Sequence, residues 1–242
     1  MTWRLIKSCA VALGLVSPAM AQDRVFQVTP YIWGTGVGGT VTPVAGGPSL
    51  RFKEGLSEVL EDLDSAFFLS GFFRHDRFVA IGDYSTSRSS RGGVVPGLGL
   101  PVRGRLEQSS LTLAAGYRAL DQERANVDYL VGLRHWDIDA RATTPVPGLA
   151  RGLSVNFTDP IVAARTNIRL SDRWSVIGYA DIGGFGVGSD LTSQLFATIT
   201  WQAREQLFLS AGYRHLYVDY DKSGAGFEGS FSGPILGLSL QF

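Results

Sequence analysis

GPILGLSLQF, residues 233–242, alternates without a break: Leu236, Leu238, Leu240 and Phe242 fall on one parity, Gly237, Ser239 and Gln241 on the other. That is the period of a β-strand, whose successive side chains point to opposite faces. In water, such a strand would leave its most apolar face on a fraying end. Where the outward face meets lipid and the inward face a polar lumen, the same strand is at home.

The start of the chain sets the compartment. Arg4 and Lys7 precede an apolar stretch from Cys9 to Val16, and Ala19-Met20-Ala21 forms a small-x-small site before Gln22. This pattern reads as a secretory signal peptide over residues 1–21, leaving residues 22–242 as one domain. The only cysteine, Cys9, opens the apolar stretch of the leader and does not lie at its end, so neither a lipid-modified cysteine nor a disulfide framework is expected. The mature chain carries 20 basic and 22 acidic residues, a net charge of −2 that gives no footprint for nucleic acid. No later segment reaches the length of uninterrupted apolar sequence that a transmembrane helix needs.

Short charged turns recur along the chain at His75-Asp76-Arg77, Asp121-Gln122-Glu123-Arg124, Ser171-Asp172-Arg173 and Arg204-Glu205-Gln206. Between them lie longer connections rich in Gly, Pro and Ser at 43–64, 87–102, 143–153 and 222–229, with a shorter one at Gly183–Ser189. Short turns at one end and long loops at the other are the asymmetry of outer-membrane barrels. The segments left between them are 25–42, 65–74, 78–87, 104–119, 125–142, 154–170, 174–184, 191–203, 207–221 and 230–242. The expected fold is therefore all-β, an antiparallel up-and-down transmembrane β-barrel of ten strands, with eight or twelve as the alternatives.

Parity assigns the faces. Phe26, Val28, Pro30 and Ile32 oppose Gln27, Thr29, Tyr31 and Trp33, and Leu207, Leu209, Ala211 and Tyr213 oppose Ser210, Gly212 and Arg214. A soluble sandwich alternates in the same way. The minority face, rich in Gly, Ser, Thr and Arg, favours a crowded polar lumen. Trp174, Phe208, Tyr213, Tyr117 and Phe242 lie toward the short-turn end, where an interfacial aromatic girdle is expected.

VTPYIWGTGVGGTV (28–41), LSEVLEDLD (56–64), YADIGGFGVGSD (179–190), AGYRHLYVDYD (211–221) and the closing GPILGLSLQF resemble a broad set of uncharacterised proteobacterial outer-membrane barrels, allied to opacity-type and OmpA-like proteins. The resemblance spans nearly the whole mature chain. It implies the barrel fold and an integral outer-membrane location, and it supplies no catalytic residues. In that family pattern the position of His215 looks aromatic. A terminal Phe242 resembles the signal by which barrel-assembly machinery recognises its substrates.

Several constellations carry possible chemistry. Arg118, Arg134, Arg165, Arg169 and Arg214 fall on lumen parity, with Asp83, Asp128 and Asp181 as candidate partners. Guanidinium groups in a narrow lumen need carboxylates or water. They read as a structural ion-pair core or, in an open lumen, as the lining of a narrow anion-favouring pore. Arg88, Arg91, Arg103 and Arg105 flank the second long connection, where arginines suit lipopolysaccharide phosphates. Apolar residues at 56, 59, 60 and 63 mark one face of a short helix over Glu54–Leu63, resting on the rim or entering the mouth. His135 and Asp137 share a strand face toward the outer end, and His215-Leu216-Tyr217 offers no adjacent serine. His75 reads as a solvated turn residue. Gly36-Val37-Gly38-Gly39 has no following helix, so it is strand glycine and not a nucleotide loop.

The expectation is a monomeric outer-membrane barrel with a structural or surface-interface role, with a narrow passive pore as one form of it. It needs no cofactor, metal or catalytic residues. Its partners are outer-membrane lipid, lipopolysaccharide and, during biogenesis, the assembly machinery. The alternative is a surface-exposed hydrolase, either an omptin-like protease or a lipid A-modifying enzyme.

Overall fold

The computed structural model describes residues 24–42, 50–54, 63–94, 99, 101–146, 151–222 and 225–242. Twelve strands form one antiparallel sheet: β1 (Arg24–Trp33), β2 (Gly36–Thr42), β3 (Leu50–Glu54), β4 (Leu63–His75), β5 (Phe78–Val94), β6 (Pro101–Asp121), β7 (Ala125–Thr143), β8 (Arg151–Arg169), β9 (Trp174–Gly184), β10 (Leu191–Arg204), β11 (Leu207–Lys222) and β12 (Ala225–Gln241). From β4 to β12 neighbours in sequence pair around the ring, β4 pairs on its other side with β1, and β12 returns to β1 through Val28↔Leu240 and Tyr31↔Gly237. Closure leaves no unpaired edge in lipid, the condition for a sheet to cross a bilayer.

The twelve strands make ten staves. β12 pairs with β1 and, in the same register, with β2, so these two are one stave. Pro234, which has no N–H to donate, stands opposite the break and accepts from Gly34 N at 2.9 Å. β3 and β4 form the second stave on either side of residues 55–62, with β3 paired to β2 and β4 to β1.

The strands run farther than the loop-like composition indicates. β3 lies inside the expected loop 43–64, β5 and β6 carry their ladder through most of 87–102, and β11 and β12 extend to Lys222 and from Ala225. Gly and Ser in these stretches read as loop, yet ladder bonds join main-chain groups and do not depend on side chains. The helix expected over Glu54–Leu63 lies, for residues 55–62, outside the described residues; Glu54 closes β3 and Leu63 opens β4. The four short charged turns stand where the sequence places them, with Asp76 in the left-handed region at φ 52°.

The outward rows are apolar and open: Ile32, Val131 and Leu195 are 70%, 66% and 60% exposed. In water such a surface would be a liability, and in a bilayer it is the lipid contact. The rows change character toward the long-loop end. On β7, Tyr129, Val131 and Leu133 give way to His135, Asp137 and Asp139. On β11, Leu209, Ala211 and Tyr213 give way to His215, Tyr217 and Asp219. These changes mark the outer border of the hydrocarbon.

At the short-turn end Phe26 packs on Phe242 at 6.2 Å, Phe73 on Phe78 at 6.3 Å and Trp174 on Trp201 at 6.3 Å. Phe208 does not join this girdle: its inward parity turns it into the lumen, where it lines a cavity.

Candidate functional site

The inward rows build three layers. Outermost is an apolar stopper in which Trp33, Trp136, Phe157, Leu216, Phe227 and Phe231 are all buried. Trp136 stands 6.4 Å from Phe157 and 6.5 Å from Phe231, and Phe157 stacks on Tyr220 at 4.6 Å. Tyr31 stacks on Phe68 at 5.3 Å, continuing the stopper toward the opposite wall.

Beneath the stopper lies a layer of arginine and aspartate. Arg134 Nη1 donates to Asp181 Oδ1 at 2.9 Å and to Thr192 Oγ1 at 3.2 Å, while its Nε donates to Thr112 Oγ1 at 3.0 Å. Its Nη2 also donates to Asp181, closing a two-pronged pair with both side chains fully buried. Arg214 donates to Asp83 Oδ1 at 2.9 Å and to Gln194 Oε1 at 2.6 Å, and Tyr31 Oη donates to Asp83 Oδ2 at 2.9 Å. The Arg214 guanidinium lies over the Trp33 ring at 4.5 Å, joining the charged layer to the stopper. Asp128 accepts from Arg118 Nε at 2.8 Å and from Arg165 Nη1 at 3.2 Å.

The structure therefore brings together Arg118, Arg134, Arg165 and Arg214 with Asp83, Asp128 and Asp181. Arg169 shares their face yet sits exposed at the short-turn end, and no carboxylate pairs with it among the described residues. Charges taken out of water need such partners, because each ion left alone costs several kcal/mol.

The innermost layer is a cavity of about 450 Å³ that reaches the short turns, with Ser171, Asp172 and Glu205 at its rim. Its wall is mixed: Arg165 lies 4.2 Å over the Phe72 ring, and Tyr179 stacks on Phe196 at 5.1 Å.

Two features escaped the sequence reading. Asp159 is fully buried and accepts from Ser189 N at 2.6 Å and from Ser189 Oγ at 2.8 Å. It fixes the connection after β9, whose Gly184 and Gly186 hold φ of 88° and 74°. A Cβ on Gly188 would stand 2.5 Å from both Asp159 Oδ1 and Thr158 O, so only glycine fits there. Lys222 Nζ donates to Gly186 O at 2.8 Å and to Val187 O at 2.6 Å from the other side. The parity of Asp159 with Arg165 was the available signal, since both lie on the inward row of β8.

The second feature is on the lipid side. His215 Nδ1 and Ser232 Oγ share a hydrogen bond of 2.5 Å across β11 and β12. The serine absent from the His215-Leu216-Tyr217 stretch is supplied by the neighbouring strand. His135 Nδ1 makes a like contact, 2.9 Å to Thr158 Oγ1. Asp137 is exposed on the same row as His135, and no ion pair joins them.

Of the outer arginines, Arg88 pairs with Glu107 at 3.0 Å and Arg105 approaches the same carboxylate at 3.9 Å. Arg103 is exposed on β6, and Arg91 lies on β5 with its side chain outside the described set. At the rim of β11, Tyr217 Oη donates to Glu228 at 3.1 Å. Partial burial and that bond push its phenol up to about 12. Asp219 is raised by partial burial and by the nearby Glu228, Asp190 and Asp221. Among the described residues no cluster of His, Cys, Asp and Glu is arranged to hold a metal.

No family model and no curated protein matches this sequence. Solved structures do. The outer-membrane protease OmpT of Escherichia coli superposes with a TM-score of 0.55 at 11% identity, over 93% of this chain and 99% of that one. Ail, the attachment invasion locus protein of Yersinia pestis, aligns over 92% of this chain and 100% of its own at 12% identity, with a TM-score of 0.39 that carries no argument. Likeness at 11% identity concerns the fold and leaves the chemistry open. Together with the closed ring and its apolar outer band, it makes the protein an integral outer-membrane β-barrel of ten antiparallel staves.

Proposed function

We propose that the protein is a non-conducting barrel serving as an envelope scaffold and a surface platform. The observation that carries this reading is the stopper: buried Trp136, Phe157, Phe227 and Phe231 stand above an arginine layer whose charges are already engaged. A passive pore needs a wet path, and interiors packed with apolar side chains hold no such path. The test is a planar bilayer loaded with purified, heat-modifiable protein. No unitary steps are expected. A reproducible single-channel conductance overturns the scaffold reading in favour of a narrow pore.

As a platform, the β5–β6 hairpin would meet lipopolysaccharide phosphates through Arg88, Arg91, Arg103 and Arg105. Glu107 already engages Arg88 and Arg105, so the larger share would fall to the other two. Changing all four to Gln should lower the lipopolysaccharide that co-purifies with the barrel; an unchanged amount removes this partner.

One contact favours a second reading, a surface hydrolase acting on outer-leaflet lipid esters. His215 and Ser232 form a base and hydroxyl pair at the border of the outward apolar rows, the depth at which acyl ester bonds lie. Among the described residues no carboxylate orients His215, which weighs for the scaffold. A fluorophosphonate probe decides: labelling of wild type that is absent in Ser232→Ala supports the hydrolase, and unlabelled wild type removes it.

A further inference from the structure

We infer that the cavity on the short-turn side of the lumen is a binding site for a small aromatic organic anion arriving from the periplasm. This goes beyond the scaffold reading and does not depend on whether the barrel conducts.

Charge gives the first argument. Asp128 answers both Arg118 and Arg165, with help only from Asp121, an exposed turn residue 3.5 Å from Arg118. Arg169, two steps beyond Asn167 on the same inward row, has no carboxylate partner among the described residues. The acids on the rim, Glu123, Asp172 and Glu205, share it with Arg124 and Arg173 in an exposed setting where water and salt screen them. With Asp128 shared between Arg118 and Arg165, and Arg169 nearer the mouth on the same row, the β8 wall of the cavity carries an excess of positive charge that an anion would neutralise.

Unmet hydrogen-bonding capacity gives the second. Arg214 is 2% exposed, lines the cavity and has no acceptor for its Nε. Asn167 Oδ1 and Thr200 Oγ1, on the same lining, are likewise sealed from solvent without partners. Buried polar groups are nearly always satisfied, so these unpartnered groups on residues that line one cavity become available to a polar guest when their side chains turn toward it.

Shape gives the third. Phe72 under its guanidinium, the Tyr179–Phe196 stack, Ile81 and Ile177 form flat apolar walls beside the arginines. A cavity of about 450 Å³ falls within the ordinary range for small-molecule sites. A guest with one carboxylate and a ring or two satisfies both surfaces.

The experiment is calorimetric titration of the folded barrel in detergent with 2-naphthoate, with 2-naphthamide as its uncharged isostere. Saturable binding of one naphthoate is expected, with the amide at least about tenfold weaker. Arg169→Gln breaks no ion pair among the described residues, and it should also cost about tenfold. Thr200→Trp should fill the cavity and abolish binding while heat-modifiability persists. Equal binding of acid and amide, no saturable binding, or an unaffected Arg169→Gln variant each overturns the site.

Discussion

At the scale of single residues, the Arg134–Asp181 pair is the sharpest test of how the lumen is held. Both side chains are fully buried and the pair is two-pronged, with Thr112 and Thr192 taking two more of the donors. Removing one partner strands the other charge, which costs about 3–5 kcal/mol, whereas replacing both with apolar groups is often nearly neutral. Arg134→Met alone should therefore lower the temperature at which the folded band disappears on unboiled gels, and Arg134→Met with Asp181→Leu should recover much of the loss. A double variant as unstable as the single one would contradict this account. Strand parity was enough to place Arg134, Asp181, Arg118, Asp128, Arg165, Arg214 and Asp83 on one face. It could not pair them, because which strand row faces which across a lumen depends on stagger between strands, and that is set by ladder registers. The same limit hid the contact of His215 with Ser232. Seventeen positions separate them in sequence, and only the β11–β12 register makes them neighbours.

At the scale of elements, the connection after β9 shows what a short loop needs when the wall beside it is tall. β8 pairs with β9 only from Ile161 inward, so its outer residues, from Arg151 to Pro160, would present a free edge beyond that point. The connection meets this edge at Thr158 and Asp159, with Ser189 on Asp159 and Lys222 bracing Gly186 and Val187. Asp159→Ala deletes two charge-assisted bonds at a fully buried position and should cost about 2 kcal/mol or more. Hydrogen exchange of residues 184–190 should rise in that variant while β4 to β7 stay protected; uniform loosening would deny the local role.

The rim of β11 offers a pH counterpart. A carboxyl whose folded pKa is raised binds its proton more tightly in the native state, so stability falls as pH climbs from the ordinary aspartate range through the raised value. Asp219 is such a group, crowded by Glu228, Asp190 and Asp221. Asp219→Asn should therefore tighten the β11–β12 rim at neutral pH and give no gain below the ordinary aspartate range. An equal effect at both pH values would assign the change to something other than charge. The extended hairpins themselves were underread because Gly, Ser and Pro resemble loop chemistry, while a ladder above the membrane needs only its backbone.

At the scale of the whole molecule, the outward and inward faces contribute differently. In lipid, outward leucines gain little from burial against a solvent as apolar as themselves, so packing and bonding inside the barrel carry much of what keeps the shape specific. The stopper is the largest block of that packing, and it is also the proposed barrier to flow. These two roles can be separated. Trp136→Ala removes a ring in contact with Phe157 and Phe231 and should cost about 3–5 kcal/mol, lowering the transition seen by heat-modifiability. Trp136→Ala with Phe231→Ala removes the two rings that meet between the β7 and β12 walls and thins the stopper above the charged layer. If the stopper is the barrier, the double variant inserted in a planar bilayer should show small, anion-preferring unitary currents that wild type lacks, because the arginines then face the water path. If it remains silent while still migrating as a folded barrel, Trp136 and Phe231 serve stability, and closure lies with the remaining stopper side chains and the paired Arg–Asp layer.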